Sequence, residues 1–192
     1  MNVKTQMKRI LQKHHSKLIS NESCETDEDI IMDIQDGELF KNLMKDKKIG
    51  TNSFTFLLNV DGISLCDKSN KSIWPVILVI IQLPREIRYC LQNVIIAGIS
   101  TGSKPIFKHF LKPIIHELSL LEQGCLIKLN NERYLFNFFV THGVYDKPAR
   151  AAILNIKSCT GFYGCLKCMQ KGEVVKTKKG FFEENFICLK KF

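Results

Sequence analysis

The chain has 192 residues, of which 45% are hydrophobic and 24% are charged, and this composition supports a packed core and excludes wholesale disorder. Its net charge of +9 is unevenly distributed, because residues 1–39 hold five basic and eight acidic side chains, whereas residues 40–192 hold 23 basic and 11 acidic ones, a net of +12. The basic excess favours a polyanionic partner such as nucleic acid, although solubility alone is another reason for it.

The apolar segments do not predict a secreted or membrane-spanning protein. The first 18 residues lack the apolar centre of a secretory signal. The longest apolar run, residues 73–84, is too short to span a bilayer and contains two prolines. We therefore expect an intracellular protein without a membrane partner, whose eight cysteines are reduced. Paired cysteines are then better interpreted as metal ligands than as disulfides.

In chain order, the patterns predict three strands, a helix, a fourth strand and a second helix, preceded by a basic helix and an acidic linker. The predicted strands are 53–62, 73–81, 93–100 and 133–145, the last bulged at Gly143, and the predicted helices are 1–20, 37–46, 104–124 and 147–156. The domain boundaries follow from these elements: residues 1–36 form the helix and linker, 37–156 the α/β core, and 157–192 a Cys-rich turn with a basic tail.

Two aspartates stand at the ends of predicted strands. Short connections predict an antiparallel meander of the first three strands, and the helical crossover lets the fourth strand return parallel to one of them. If it lies beside the first strand, about 4.8 Å away, Asp61 and Asp146 meet at the edge where open α/β sheets carry their sites. Two carboxylates this close need a proton or cation between them, and Mg²⁺ or Mn²⁺ suits oxygen ligands. Two such ions, held about 3.5–4 Å apart, clamp the attacking and the leaving oxygen of an in-line displacement at phosphorus, the chemistry of nucleases and strand-transfer enzymes.

The same residues also have simpler interpretations. The pair Asp61-Gly62 is a common turn sequence. Asp146 can cap the helix that follows it, and it has the i,i+4 spacing of an ion pair with Arg150. His142, near Asp146 in sequence, is interpreted as a strand-end histidine whose hydrogen bonds are satisfied. These interpretations leave the metal-site hypothesis open at this point.

Four motifs in order carry a resemblance to a known family: "NVDG" at 59–62, "IWP" at 73–75, "DKPARA" at 146–151 and "GFYGCLKC" at 161–168. Over about residues 37–175 the chain resembles the catalytic region of CACTA (En/Spm-type) DNA transposases, particularly their relatives in animal genomes. The resemblance implies an RNase H-like mixed sheet and a nuclear protein that cuts and joins DNA at transposon ends. It also implies a three-carboxylate metal site, in which Asp61 and Asp146 match the first two acidic residues.

The sequence departs from the family at the third acidic residue, which lies in the family on a helix beyond a long insertion. The carboxylates that follow Asp146 here are Glu173, Glu183 and Glu184, in a segment that resembles the start of that insertion. The resemblance therefore implies a truncated copy, with a sheet that is incomplete at its C-terminus and no activity by itself. The alternative functions are a non-catalytic module that binds DNA or a full-length transposase, and a relic without retained function. A second copy of the chain, in a homo-oligomer, is a further candidate partner.

The spacing Cys165-x-x-Cys168 is that of a zinc-binding turn. The family carries such a pair just after its second acidic residue, so the resemblance supports Zn²⁺ at Cys165 and Cys168. Cys159 is a candidate third ligand and Cys188 a candidate fourth, and two idle thiols are the alternative. Ordinary core or surface roles are predicted for the others, which are Cys24, Cys66, Cys90 and Cys125.

Overall fold

The fold is taken from a computed structural model of the chain. It describes residues 2–19, 30–46, 48–50, 52–65, 71–157, 162–163, 171, 173–176 and 182–185, with the backbone alone for 15–17, 19, 173–176 and 182–185. Two compact units are present, Met1–Val144 and Tyr145–Phe192. Each unit is described by itself.

The described part of the first unit combines helices with a mixed sheet. The helices are α1 (Val3–Ile19), α2 (Glu38–Lys45), α3 (Arg85–Arg88) and α4 (Phe107–Glu122). The strands are β1 (Ser53–Val60), β2 (Ile63–Ser64), β3 (Ser72–Ile80), β4 (Val94–Gly102), β5 (Cys125–Leu129) and β6 (Glu132–Val144). The prediction of a mixed α/β protein is therefore confirmed.

The strand pairing agrees with the predicted topology. β3 pairs antiparallel with both β1 and β4, which completes the meander. β6 returns after α4 and pairs parallel with β1. β2 continues β1 along the same edge of β3, because Val60 pairs with Val76 and Ile63 pairs with Ile73 without a change of register. The strands therefore run β4, β3, β1, β6 and β5 across the sheet.

The core lies between this sheet and the apolar stripe of α4. Phe56 and Val60 of β1 and Val76, Leu78 and Ile80 of β3 are fully buried. The buried residues of α4 recur at three- and four-residue steps: Phe107, Leu111, Ile114, Leu118 and Leu121. Burial of each such side chain stabilises the fold by about 1.5–3 kcal/mol. Gly98 permits the close approach of the helix, because a Cβ there would lie 2.7 Å from the Cδ1 of Ile114.

Helix α1 is an integral part of the first unit, which its basic sequence does not indicate. Its apolar stripe is buried, namely Val3, Met7, Ile10 and Leu11. The Gln6 carboxamide donates to the Ile96 carbonyl (2.9 Å) and accepts from the Ile96 N–H (3.1 Å) on edge strand β4. Gln12 donates to the Lys128 carbonyl (3.3 Å) on edge strand β5. The helix therefore shields unpaired backbone groups on both edges of the sheet.

Two features of the β5–β6 region differ from the prediction. The hairpin itself was not predicted; its turn is Asn130-Asn131, whose φ angles are 47° and 71°, and β5 alternates buried and exposed residues. The bulge of β6 lies at Thr141, because the register passes from Phe56↔Val140 to Leu57↔His142. The predicted bulge position, Gly143, is therefore wrong by two residues.

The second unit contains one described helix, α5 (Lys147–Ile153), and the antiparallel hairpin of β7 (Glu173–Lys176) and β8 (Phe182–Asn185). The helix ends three residues before its predicted limit, and Asn155 just beyond it has a positive φ of 51°. In the described part of the chain, no helix has the length and apolar character needed to cross a membrane.

Candidate functional site

Asp61 lies in an extended segment and not in a turn. The unbroken register of β1 and β2 along β3 places Asp61 opposite Pro75 and Gly62 opposite Trp74. The turn interpretation of Asp61-Gly62 is therefore wrong. Pro75 cannot donate a ladder hydrogen bond. The side chain of Asp61 is exposed, and its Oδ1 accepts from the Gly62 N–H at 2.7 Å.

The indole of Trp74 supports the Asp61 segment. A Cβ at Gly62 would lie only 2.5 Å from Cζ2 of Trp74, so only glycine fits against the ring. Trp74 Nε1 donates to Ser72 Oγ at 2.7 Å, and the Phe107 ring meets the indole edge-on with centroids 5.4 Å apart. Because Ser72 and Phe107 hold the indole in place, the ring in turn positions the backbone of Gly62, next to Asp61. Sequence reasoning missed this role, although "DG" facing "WP" is the signal for it.

The ends of β1 and β6 are joined by a side chain as well as by the ladder. Asn59 pairs with Val144, and Asn59 Nδ2 donates to the Val144 carbonyl at 2.9 Å. Asn59 is a second residue that sequence reasoning missed, and a polar residue inside an apolar strand was its signal. His142 shares a hydrogen bond of 2.9 Å with Thr141 Oγ1, and burial lowers the pKa of its imidazole. The interpretation of His142 as a strand-end histidine with a hydrogen-bond partner is therefore confirmed, and that partner is its neighbour Thr141.

In the second unit, Asp146 is the N-cap of α5. Its backbone is extended, and its Oδ1 accepts from the Ala149 N–H at 2.6 Å. The capping interpretation is therefore confirmed. The predicted ion pair with Arg150 is wrong, because the ion pairs among the described residues are Lys48–Asp46 and Arg88–Asp33. Capping engages one oxygen of the carboxylate and leaves Oδ2 without a hydrogen bond to any described residue.

The remaining predicted ligands are only partly described. Cys159, Cys165, Cys168 and Cys188 lie outside the described residues. Glu173, Glu183 and Glu184 belong to β7 and β8, of which the backbone alone is described. Among the side chains that are described, no group of three or more His, Cys, Asp and Glu residues could hold a metal ion. Cys90 and Cys125 are free, the first half-buried and the second buried, as predicted for ordinary positions.

These elements define a mixed α/β protein. In the six-stranded sheet of its described residues, β1 and β6, the first and last strands in chain order, run parallel and end side by side. Over residues 1–185 the chain matches the family described as protein of unknown function (DUF1258), and it belongs to that family. No curated protein matches the chain. The match includes α1, in agreement with the burial of that helix in the first unit.

Proposed function

We propose that the chain is the core of a DNA-cleaving and strand-joining domain of the RNase H-like type, related to CACTA transposases and dependent on Mg²⁺ or Mn²⁺. The observation that carries the proposal is the parallel pairing of β1 with β6, which ends at Asn59↔Val144. This is the pairing that the metal-site hypothesis requires. A nuclear location and a zinc turn at Cys165 and Cys168, with Cys159, belong to the same proposal.

Chain connectivity limits where the two carboxylates can lie. Asp61 and Asp146 each follow a paired residue by two positions. Two residues span at most about 7 Å, so each Cα stays within that distance of a strand end whose position is fixed. The proposal requires that the two carboxylates lie side by side within this range, where they would repel each other unless a cation lay between them.

The donor set fits a hard divalent cation. Asp61 is exposed, and Asp146 has one oxygen beyond the one used for capping. When bound, the ion supplies charge stabilisation and an activated oxygen nucleophile for displacement at phosphorus. Asp61 and Asp146 bind and orient the ion, and Gly62 and Trp74 keep the Asp61 backbone in place. Two protein carboxylates hold the ion less tightly than three, so micromolar or weaker affinity is expected.

The test is nicking of supercoiled plasmid DNA with Mg²⁺ or Mn²⁺, using the wild type, Asp61→Asn and Asp146→Asn. Asparagine is as good an N-cap as aspartate, so the second variant removes the charge and retains the cap of α5. Asp46→Asn, at an exposed aspartate paired only with Lys48, is the matched control. Metal-dependent nicking by the wild type and the control alone supports the proposal, and it would show that the chain acts without the third acidic residue that a truncated copy lacks. Nicking that survives both site substitutions contradicts the proposal.

A second candidate function is a module that binds DNA, or a full-length transposase, without cleavage. The observation that favours it is that no group of three or more ligand side chains occurs among the described ones. Salt-dependent DNA binding together with absence of nicking under every metal condition supports this candidate over the first. Absence of DNA binding at low salt contradicts the first candidate and the DNA-binding form of the second.

A further inference from the structure

The exposed flank of α4 and the segment before it carry a row of unpaired cations. Residues 103–116 contain three lysines, two histidines and no carboxylate. Lys104, Lys108 and Lys112 are exposed, and none of them belongs to the ion pairs of the described residues. We propose that these three lysines bind the sugar–phosphate backbone of a DNA duplex. The identity of the partner as DNA rests on the proposed function.

The burial of α4 fixes which flank faces outward. Its buried stripe points to the sheet, and Lys108, Lys112 and His116 succeed one another at four-residue steps along one side of that stripe. Each step advances about 6 Å along the helix axis. A DNA strand carries one phosphate per about 3.4 Å of axial rise, so successive cations of the row can meet different phosphates.

The row begins next to the Asp61 segment. Lys104 Nζ lies 5.8 Å from the centre of the Trp74 ring, and the same indole packs against Gly62. A backbone bound along Lys112, Lys108 and Lys104 is thereby led towards Asp61. This continuity distinguishes α4 from α1, which also exposes cations but contacts β4 and β5 through Gln6 and Gln12.

The packing of α4 favours a nucleic acid over a lipid surface. A helix that lies in a membrane interface needs an exposed apolar face to insert. In α4 the apolar stripe is buried against the sheet. Ile115 and Leu120 of α4 are also exposed, but at a separation of five residues they point in different directions and do not form a continuous apolar face. Charge is therefore the main feature that the outward flank offers to a partner.

The experiment is fluorescence anisotropy of a labelled 30-base-pair duplex in EDTA, between 50 and 200 mM salt. The triple variant Lys104→Gln, Lys108→Gln, Lys112→Gln is expected to bind at least about tenfold more weakly, with a salt slope smaller by about 2–3. The matched control removes three exposed charges from α1: Lys4→Gln, Lys8→Gln and Arg9→Gln. The control, called the α1 triple, is expected to bind within about twofold of the wild type. Replacement of Lys104, Lys108 and Lys112 by arginine keeps the charge and is expected to retain affinity; the glutamine variant at these positions is called the α4 triple.

Four results overturn the inference: equal losses in the α4 and α1 triples, no loss in the α4 triple, no duplex binding by the wild type, or tighter binding to phosphatidylserine vesicles than to DNA. EDTA separates this test from the proposed metal chemistry, because binding without metal does not require Asp61 or Asp146. If the α4 triple binds normally while metal-dependent nicking persists, the inference fails and the proposed function stands. If DNA binding is lost in the α4 triple and no protein nicks DNA, the inference stands and the proposed function fails.

Discussion

The two ends of β3 each lie near an aspartate, Asp33 at one end and Asp61 at the other. The two carboxylates differ in whether a cationic side chain of the protein pairs with them. Beyond the C-terminal end, both oxygens of Asp33 accept from the guanidinium of Arg88, which is 1% exposed and also donates from Nε to the Leu83 carbonyl at 2.8 Å. Near the N-terminal end, Asp61 is exposed, and among the described residues no cation pairs with it.

The difference separates a carboxylate that stabilises the fold from one that is available to a ligand. Asp33 fixes the segment before α2 to the buried Arg88, and its charge is neutralised within the protein. Asp61 is held in place by Gly62 and Trp74, while its charge is left for a cation from solution.

The largest expected effect comes from removing the guanidinium of Arg88, which neutralises the charge of Asp33. Arg88→Met leaves that carboxylate without its partner and is expected to lower the free energy of unfolding by about 3–5 kcal/mol. Arg85→Met is the matched control, because Arg85 is exposed and its one hydrogen bond among the described residues is to the Met32 carbonyl. Its charge is only the last and smallest cause of the lowered pKa of Asp33. A change below about 1 kcal/mol is expected there. Urea unfolding monitored by circular dichroism measures the stability of both variants. Equal losses of stability in the two would contradict the assignment of Arg88 as the partner that stabilises the fold through Asp33.

A smaller effect is expected from disturbing the support of Asp61 without touching its charge. Gly62→Ala brings a Cβ against the Trp74 indole, and the displacement is expected to cost about 1–3 kcal/mol and to weaken Mn²⁺ binding. In the control, Gly50→Ala, the added Cβ meets Ser53 Oγ at an ordinary 3.7 Å. Calorimetric melting together with Mn²⁺ titration checks the pair. Unchanged stability and metal affinity in Gly62→Ala would show that the indole does not position this segment.

The smallest expected effect is the pH dependence that Asp33 contributes. The hydrogen bond from Arg88 lowers the pKa of Asp33 below its ordinary value of 3.8, against the opposing effect of burial. Because the folded-state pKa is the lower one, this stability is fully present above the unfolded-state pKa and is lost as the pH falls through the folded-state pKa. Urea midpoints between pH 7 and pH 2 measure it. Asp33→Asn is expected to flatten this acid-side loss, and an unaltered profile would contradict the assignment.

Local patterns were sufficient to predict four strands of the sheet, β1, β3, β4 and β6, but not β2 or β5. Apolar β-branched runs gave β3 and β4, and the helical period gave α4, because these elements bury contiguous or regularly spaced side chains. The helical crossover predicted a parallel return of β6 to one of the first three strands, but its place beside β1 was only a condition of the hypothesis until the register showed it. Asp61 and Asp146 could therefore be placed after predicted strands without coordinates.

Other features depend on tertiary contacts that sequence patterns do not carry. The burial of α1 depends on the two sheet edges that Gln6 and Gln12 bond. The turn interpretation of Asp61-Gly62 was wrong because the pairing of Ile63 with Ile73, two residues further on, keeps the chain extended. The β5–β6 hairpin had a recognisable signal in Asn130-Asn131, since asparagine tolerates positive φ, but the signal went unused.

Titration of Mn²⁺ into the protein, followed by electron paramagnetic resonance, tests the central claim that Asp61 and Asp146 share a divalent cation. The account expects one Mn²⁺ site in the wild type and in Asp46→Asn, weakened at least about tenfold in Asp61→Asn and equally in Asp146→Asn, a loss of about 1.4 kcal/mol or more of binding free energy. Wild-type affinity in either site variant, or loss in one and not in the other, would contradict it.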